Sequence, residues 1–213
     1  MRVGTRSLLF GVHHWLLHPL MVAEAWRRLY GARSMFSLPL WVAFIVHDWG
    51  YWGCSDMDGK EGKRHPVRGA EIMRALFGLR WGQFCLLHSR SFAKSMGSAP
   101  SRLALADKLA TAVYPVGLYL WLAEFSGELE EYLGNCCGDA NQFGLTKEGE
   151  GGRIRYWAEC AVRADDADEK EAYQFACEEW FTNLQRLHES WVVRERATEV
   201  EQAVRSELTG RNL

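Results

Sequence analysis

Leu40-Trp41-Val42-Ala43-Phe44-Ile45-Val46-His47-Asp48-Trp49-Gly50 is an apolar run that ends in a histidine–aspartate pair and, two residues on, a glycine. Ser37-Leu38-Pro39 stands ahead of it. A proline in the first turn of a helix costs nothing, because its missing N–H would have had no intrahelical acceptor. The stretch therefore reads as a helix that opens near Pro39, carries His47 and Asp48 at its end and is left at Gly50. A single His-Asp pair is common and says little. This one is flanked by His18 ahead of it and by His65, His88 and Asp107 after it. Four imidazoles and two carboxylates fall within 90 residues, most on helical segments. That nitrogen and oxygen donor set is large enough for two metal ions.

Outward from this run, the pattern is helical throughout. His14 to Tyr30 has apolar residues at helical spacing and stops at Gly31. Residues 53–64 read as a polar loop with Gly53, Gly59 and Gly62, and Pro66 opens a helix to about Phe77 with His65 at its entrance. One helix is expected from Trp81 to about Lys94, with Gly97 as its stop. Ser101 caps another that contains Asp107 and kinks near Pro115. Residues 135–152 are Gly-rich and read as a loop, followed by a short helix over 153–163 and the acidic break Asp165-Asp166-Ala167-Asp168-Glu169. A long helix runs from about Lys170 to Val200, and the last dozen residues are expected to fray. No segment alternates as a strand would, so the fold class is all-α.

The 213 residues suffice for one domain, or one with an elaborated end. Hydrophobic residues make up 48% and tryptophan occurs ten times, which excludes a disordered chain. A net charge of −2 argues against a strongly basic nucleic-acid binder, so no stable nucleic-acid partner is expected. The six cysteines form no CxxC pair and read as reduced thiols in a cytoplasmic protein. The first ten residues imitate a signal peptide only faintly, since His13, His14 and His18 interrupt the apolar stretch. No apolar run reaches bilayer-spanning length, and the longest, Val113 to Ala123, contains Pro115. No membrane association is expected.

The order His18-Pro19-x-x-Val22-Ala23, His47-Asp48-x-Gly50, His65-Pro66-x-x-Gly69-Ala70-Glu71-Ile72, His88 and Ala106-Asp107-Lys108-Leu109 resembles the HD superfamily of metal-dependent phosphohydrolases, in its binuclear H…HD…H…H…D branch. The resemblance covers residues 14–110. It implies an HD-domain helical bundle over 1–125, with 126–213 as a C-terminal helical extension on the same domain. His18, His47, Asp48 and Asp107 would hold a first metal, and His65 and His88 a second, with Asp48 bridging and His47 and Asp48 central to catalysis. The ions would be two divalent transition metals, and this donor set suits Fe, Mn, Co, Ni or Zn. The implied activity is hydrolysis of a nucleotide or other small phosphate ester or anhydride through a metal-bridging hydroxide. The Ser89-Arg90 sequence and the 19 residues from His88 to Asp107 are similar to symmetrical diadenosine-tetraphosphate hydrolases of the HD type. The cyclic-dinucleotide phosphodiesterase signature is missing after His88. Alternatives within the same ligand set are a mixed-valent di-iron oxygenase, which tends to place its last aspartate farther away, and a non-catalytic nucleotide-binding module.

Several residues admit an ordinary reading beside a functional one. Lys60, Lys63, Arg90 and Lys108 surround the ligands and suit phosphate oxygens, although loops and helix surfaces carry such cations everywhere. Trp15, Trp41, Trp49, Tyr51 and Trp52 are suited to stack a base, yet such residues are more often core. His14 competes with His18 as first ligand. Pro-x-x-Val-Ala after His18 favours the latter and leaves His14 for substrate contact. His188 reads as structural or exposed. The acidic break and the tail helix read as solvated surface or as a homo-oligomer contact.

Overall fold

In the computed structural model, residues 1–57, 59–137, 145 and 148–210 are described. They form an all-α fold in which the described residues include no strand. Two helices precede the apolar run. The first, α1 (Val3–Phe10), has no strong periodic signal and buries Gly4, Ser7 and Leu8. Its glycine permits a close approach: the Gly4 N–H donates to the Cys54 carbonyl at 3.1 Å, and a Cβ there would lie 2.8 Å from Cys54 Cβ. The second, α2 (Leu17–Tyr30), starts after His14, whose Nδ1 accepts from the N–H groups of Leu16 and Leu17 at 3.2 and 3.3 Å. It ends at Gly31, where φ is +80°.

The apolar run is α3 (Leu38–Val46), with Leu40, Ala43, Phe44 and Val46 buried. A short 3-10 turn, Trp49–Tyr51, and a second, Gly62–Arg64, lead to α4 (Pro66–Phe77). The single helix expected over 81–94 is two, α5 (Leu79–Leu86) and α6 (Arg90–Ser95), broken around His88. Next come α7 (Arg102–Val113) and α8 (Val116–Ser126), bent by 102° where Pro115 cannot continue the hydrogen-bond ladder. Ser101 occupies the cap position of α7, but its hydroxyl makes no capping bond. Gly127, at φ +81°, turns the chain into α9 (Glu128–Cys136). The Gly-rich stretch expected to be a loop lies partly outside the described residues, and its end is already helical in α10 (Gly149–Asp166). The acidic break is a tight reversal. Asp168 sits at φ 55°, the left-handed conformation that asparagine and aspartate tolerate, and the Glu169 N–H donates to the Ala164 carbonyl at 2.9 Å. The final α11 (Lys170–Gly210) runs ten residues past the expected end.

Two cores result. One joins α2, α3, α4, α5 and α7 through Val22, Trp26, Phe44, Met73, Cys85, Leu103 and Ala106. The other joins α8 to α11 through Tyr119, Leu129, Ile154, Trp180 and Phe181. Full burial of such side chains is worth about 1.5–3 kcal/mol each. α11 also crosses α7, so residues from the second core reach the polar end of the first. All six cysteines are free thiols. No single helix among the described residues is long and apolar enough to cross a membrane.

Candidate metal centre

Three of the six candidate ligands are placed by one repeated device. His47 follows α3, His65 precedes α4 and His88 follows α5, each where the helical ladder has just ended or has not yet begun. In each case Nδ1 donates to the carbonyl three residues back: His47 to Phe44 at 2.9 Å, His65 to Gly62 at 2.7 Å and His88 to Cys85 at 2.6 Å. The bond fixes the ring orientation and, in the neutral ring, places the hydrogen on Nδ1 so that Nε2 carries the lone pair. His18 comes from the first turn of α2 and Asp107 from the middle of α7.

The two glycines that follow the histidines explain how these segments can meet. A Cβ on Gly50 would collide with the backbone of His65. A Cβ on Gly69 would strike the Val46 carbonyl and lie 3.0 Å from both His47 Cα and Cys85 Sγ. Close approach of α4 to the end of α3 requires both positions bare.

The donors converge in two overlapping groups: His18, His47, Asp48 and Asp107, all buried, and Asp48, His65 and His88. Asp48 belongs to both, and its two oxygens are divided between them. Oδ2 lies 3.1 Å from His47 Nε2 and 3.3 Å from His18 Nε2. Oδ1 lies 3.4 Å from His88 Nε2 and 3.6 Å from His65 Nε2. Asp107 Oδ1 adds to the first group, 3.1 Å from His18 Nε2 and 3.8 Å from His47 Nε2. His47 Nε2 is buried without a hydrogen-bond partner, and His65 Nε2 lies 3.0 Å from His88 Nε2. Since both of those rings commit Nδ1–H to a carbonyl, two lone pairs face each other across that gap. Neither arrangement is favourable unless a cation or proton lies between the donors. The buried His/Asp cluster can hold metal.

Electrostatics point the same way. Burial opposes the charged form of His47, but the carboxylates of Asp48 and Asp107 outweigh it and lift the imidazole to about 10. Burial and the neighbouring His88 push His65 down to about 3 against the pull of Asp48. Asp48 and Asp107 fall well below the carboxylate range despite their burial, Asp48 chiefly through His47 and Asp107 chiefly through Lys108. The site demands positive charge in its first group and excludes a proton from His65.

A cavity of about 240 Å³ opens over Asp48, His65, His88 and Asp107 and is lined by Lys63, Arg90 and Lys108 among others. Lys108 Nζ lies 3.4 Å from Asp107 Oδ2, and the Arg90 guanidinium sits 5.0 Å above the Trp191 ring. Lys60 is exposed and does not line this cavity. His14 is not brought to the centre either, because its ring is occupied in starting α2. Its neighbour His13 is there instead. Of the aromatic run only Tyr51 reaches the ligands, stacked on His65 at 4.3 Å. Trp15, Trp49 and Trp52 line a separate apolar groove, and the Trp41 indole donates to the Met35 carbonyl.

Three residues here had no sequence signal of function. Glu128, at the start of α9, is wholly buried and faces His13, with Glu128 Oε1 2.9 Å from His13 Nδ1. The hydroxyls of Tyr132 and Ser126 donate to the same carboxylate at 2.8 and 2.6 Å. His188, which reads from sequence as structural or exposed, lines a pocket with Asp107, Lys108, Arg90 and Trp180. His188 and Trp180 come from α11, more than 70 residues beyond the last ligand, and only packing reveals them. No family model, no curated protein and no solved structure matches this chain.

Proposed function

We propose that the chain is a metal-dependent phosphohydrolase of the HD type, acting on a nucleotide or other small phosphate ester or anhydride. The observation that carries this reading is the division of Asp48, with one oxygen toward His18 and His47 and the other toward His65 and His88. A shared carboxylate between two nitrogen-rich groups is the arrangement that a pair of divalent cations requires. The donors are imidazole and carboxylate without thiolate, which suits Fe, Mn, Co, Ni or Zn. When bound, such a pair would supply Lewis acidity and make water a competent nucleophile near neutral pH.

The chain's own residues supply the rest. His18, His47, Asp48 and Asp107 would hold one ion and His65 and His88, with Asp48, the other. Lys63, Arg90 and Lys108 give the cavity its cationic wall, and their part is to bind and orient phosphate oxygens and offset charge on the transferring group. Burial lowers the Arg90 pKa, against the pull of Asp107 and Glu195, and a planar guanidinium is suited to forked contact with phosphate oxygens. Tyr51 braces His65 by stacking on it.

The test is metal content after purification together with phosphate or nucleotide release under nitrogen, using Mn²⁺- or Co²⁺-loaded protein and a panel of mono-, di- and dinucleoside polyphosphates, diadenosine tetraphosphate included. Release without O₂ is expected. Failure across the panel, with O₂-dependent turnover of a phosphonate or polyol by the iron form, would replace the hydrolase reading with an oxygenase one.

A further inference from the structure

α3 carries no polar side chain: Leu38-Pro39-Leu40-Trp41-Val42-Ala43-Phe44-Ile45-Val46 is apolar on every side. A helix of that kind belongs in a core or against lipid. Leu40, Ala43, Phe44 and Val46 are buried, but Leu38, Trp41 and Ile45 are exposed, Leu38 by 70%. Their spacing of three and four residues puts them on one outer face. Trp49, four residues beyond Ile45 and also exposed, carries the stripe into the following 3-10 turn. There it meets a groove lined by Leu8 and Leu9 of α1 and by Trp15, Trp49, Trp52 and Arg68. Trp15 and Trp52 are exposed by 50% and 56%. A contiguous apolar patch on a folded protein marks a surface that something else covers.

The chemistry of the face selects what covers it. Indole is apolar over most of its surface and polar at one N–H, which is why tryptophan collects at the boundary between water and lipid. Of the four tryptophans on this face only Trp41 donates within the described residues, to the Met35 carbonyl, so the other three N–H groups are open to headgroup oxygens. The one charged side chain among the described residues lining the groove is Arg68, and exposed Arg64 stands one turn ahead of it. The surrounding chain has the same sign. Residues 1–80, which hold the whole face, contain 11 Lys and Arg against 6 Asp and Glu, whereas residues 81–213 contain 14 against 21. A second copy paired here about a two-fold axis would set this basic surface against itself, whereas an anionic lipid surface complements it. No single helix among the described residues is long and apolar enough to cross a membrane. Lying on a bilayer is a separate property from spanning it.

We propose that the stripe from Leu38 to Trp49 and the groove between Trp15 and Trp52 dock the protein on an anionic phospholipid bilayer. The indoles and Ile45 enter the headgroup layer, and Arg64 and Arg68 meet the lipid phosphates. The short turn Trp49–Tyr51 separates this face from the metal centre, giving Trp49 to the groove and Tyr51 to the ring of His65. The proposal does not rest on the phosphohydrolase reading, because the residues of the face are not those of the site.

The experiment is flotation of the full chain with vesicles of phosphatidylcholine and phosphatidylglycerol in equal parts, and with vesicles of phosphatidylcholine alone, at low and high salt. The protein should float with the anionic vesicles, about tenfold better or more than with the neutral ones, and salt should weaken the binding because exposed charges are screened. Trp52→Ala removes an exposed indole and should lower the partition coefficient for anionic vesicles about tenfold. Arg68→Glu, at an exposed position, is the second variant should Trp52→Ala fold poorly, and should lower the same coefficient about tenfold. Light scattering of the lipid-free chain accompanies the flotation. No flotation of the wild-type chain, equal binding to both kinds of vesicle, or wild-type partitioning in both variants would overturn the proposal. So would a stable dimer that Trp52→Ala dissociates, which would give the face to a second copy of the chain. Neither position belongs to the metal centre, so vesicle binding stands or falls separately from metal content and phosphate release.

Discussion

His65 and His88 point at each other, Nε2 to Nε2 at 3.0 Å, while each spends its Nδ1 hydrogen on the carbonyl three residues before it. Two converging lone pairs in a buried site call for a cation. His65→Ala and His88→Ala should each lower metal occupancy by about one ion per chain, read by elemental analysis of purified protein, and leave the His18/His47/Asp107 group loaded. Full occupancy in both variants would mean that these rings are structural.

Asp48 is the ligand common to both groups, so its loss should be more severe. Asp48→Ala is expected to strip both ions and to leave four imidazoles crowded without their shared carboxylate. Turnover should fall to background. Two metals per chain with normal activity would end the binuclear reading.

Metal removal should also be felt as stability. A ligand that binds only the folded chain stabilises it by roughly 2.7 kcal/mol at a hundred times its dissociation constant. Chelation should therefore lower Tm, and restoring Mn²⁺ or Zn²⁺ should raise it in a concentration-dependent way. A Tm indifferent to both would show that the cluster does not bind these ions.

Gly69, where α4 meets the end of α3, gives a test that reads stability and metal affinity together. Gly69→Ala pushes a methyl group into the Val46 carbonyl and toward Cys85. Overpacking of this kind costs about 1–3 kcal/mol, which for a chain of this size shifts Tm by about 5 °C. Metal affinity should weaken in parallel, because His65 stands at the N-cap of α4. A neutral substitution would mean that α4 can move away without consequence.

His13 and Glu128 set a pH window. Burial opposes both charges, yet Glu128 raises the His13 pKa above its ordinary 6.5, and His13 lowers that of Glu128 below its ordinary 4.5. A raised histidine pKa stabilises fully below about 6.5 and is lost as pH rises through the folded value; a lowered glutamate pKa stabilises above about 4.5 and is lost as pH falls. The pair is therefore at full strength between about 4.5 and 6.5. Removing one partner of a buried pair costs about 3–5 kcal/mol. Glu128→Ala should lower Tm most within that window, and His13→Asn should flatten the profile. A pH-independent difference would show that Glu128 acts by packing alone.

Most of the helices from α2 to α7, the long α11 and the order of the ligands were legible in the chain itself. Apolar spacing, Pro39 and Pro66 in first turns, and Gly31 at an end are local signals, decided within one or two turns. The break at His88 was not legible, because Trp81 to Lys94 is compatible with a continuous helix and only packing interrupts it. The choice of His13 over His14 is also tertiary. The two differ by one residue, and what separates them is Glu128, which lies 115 residues beyond His13. Trp180 and His188 are further examples, since a polar group on a long charged helix looks solvated until α11 is laid across α7. Periodicity determines which face of a helix is apolar. Which distant side chain meets that face depends on contacts between segments far apart in sequence, and those exist only once the chain is folded.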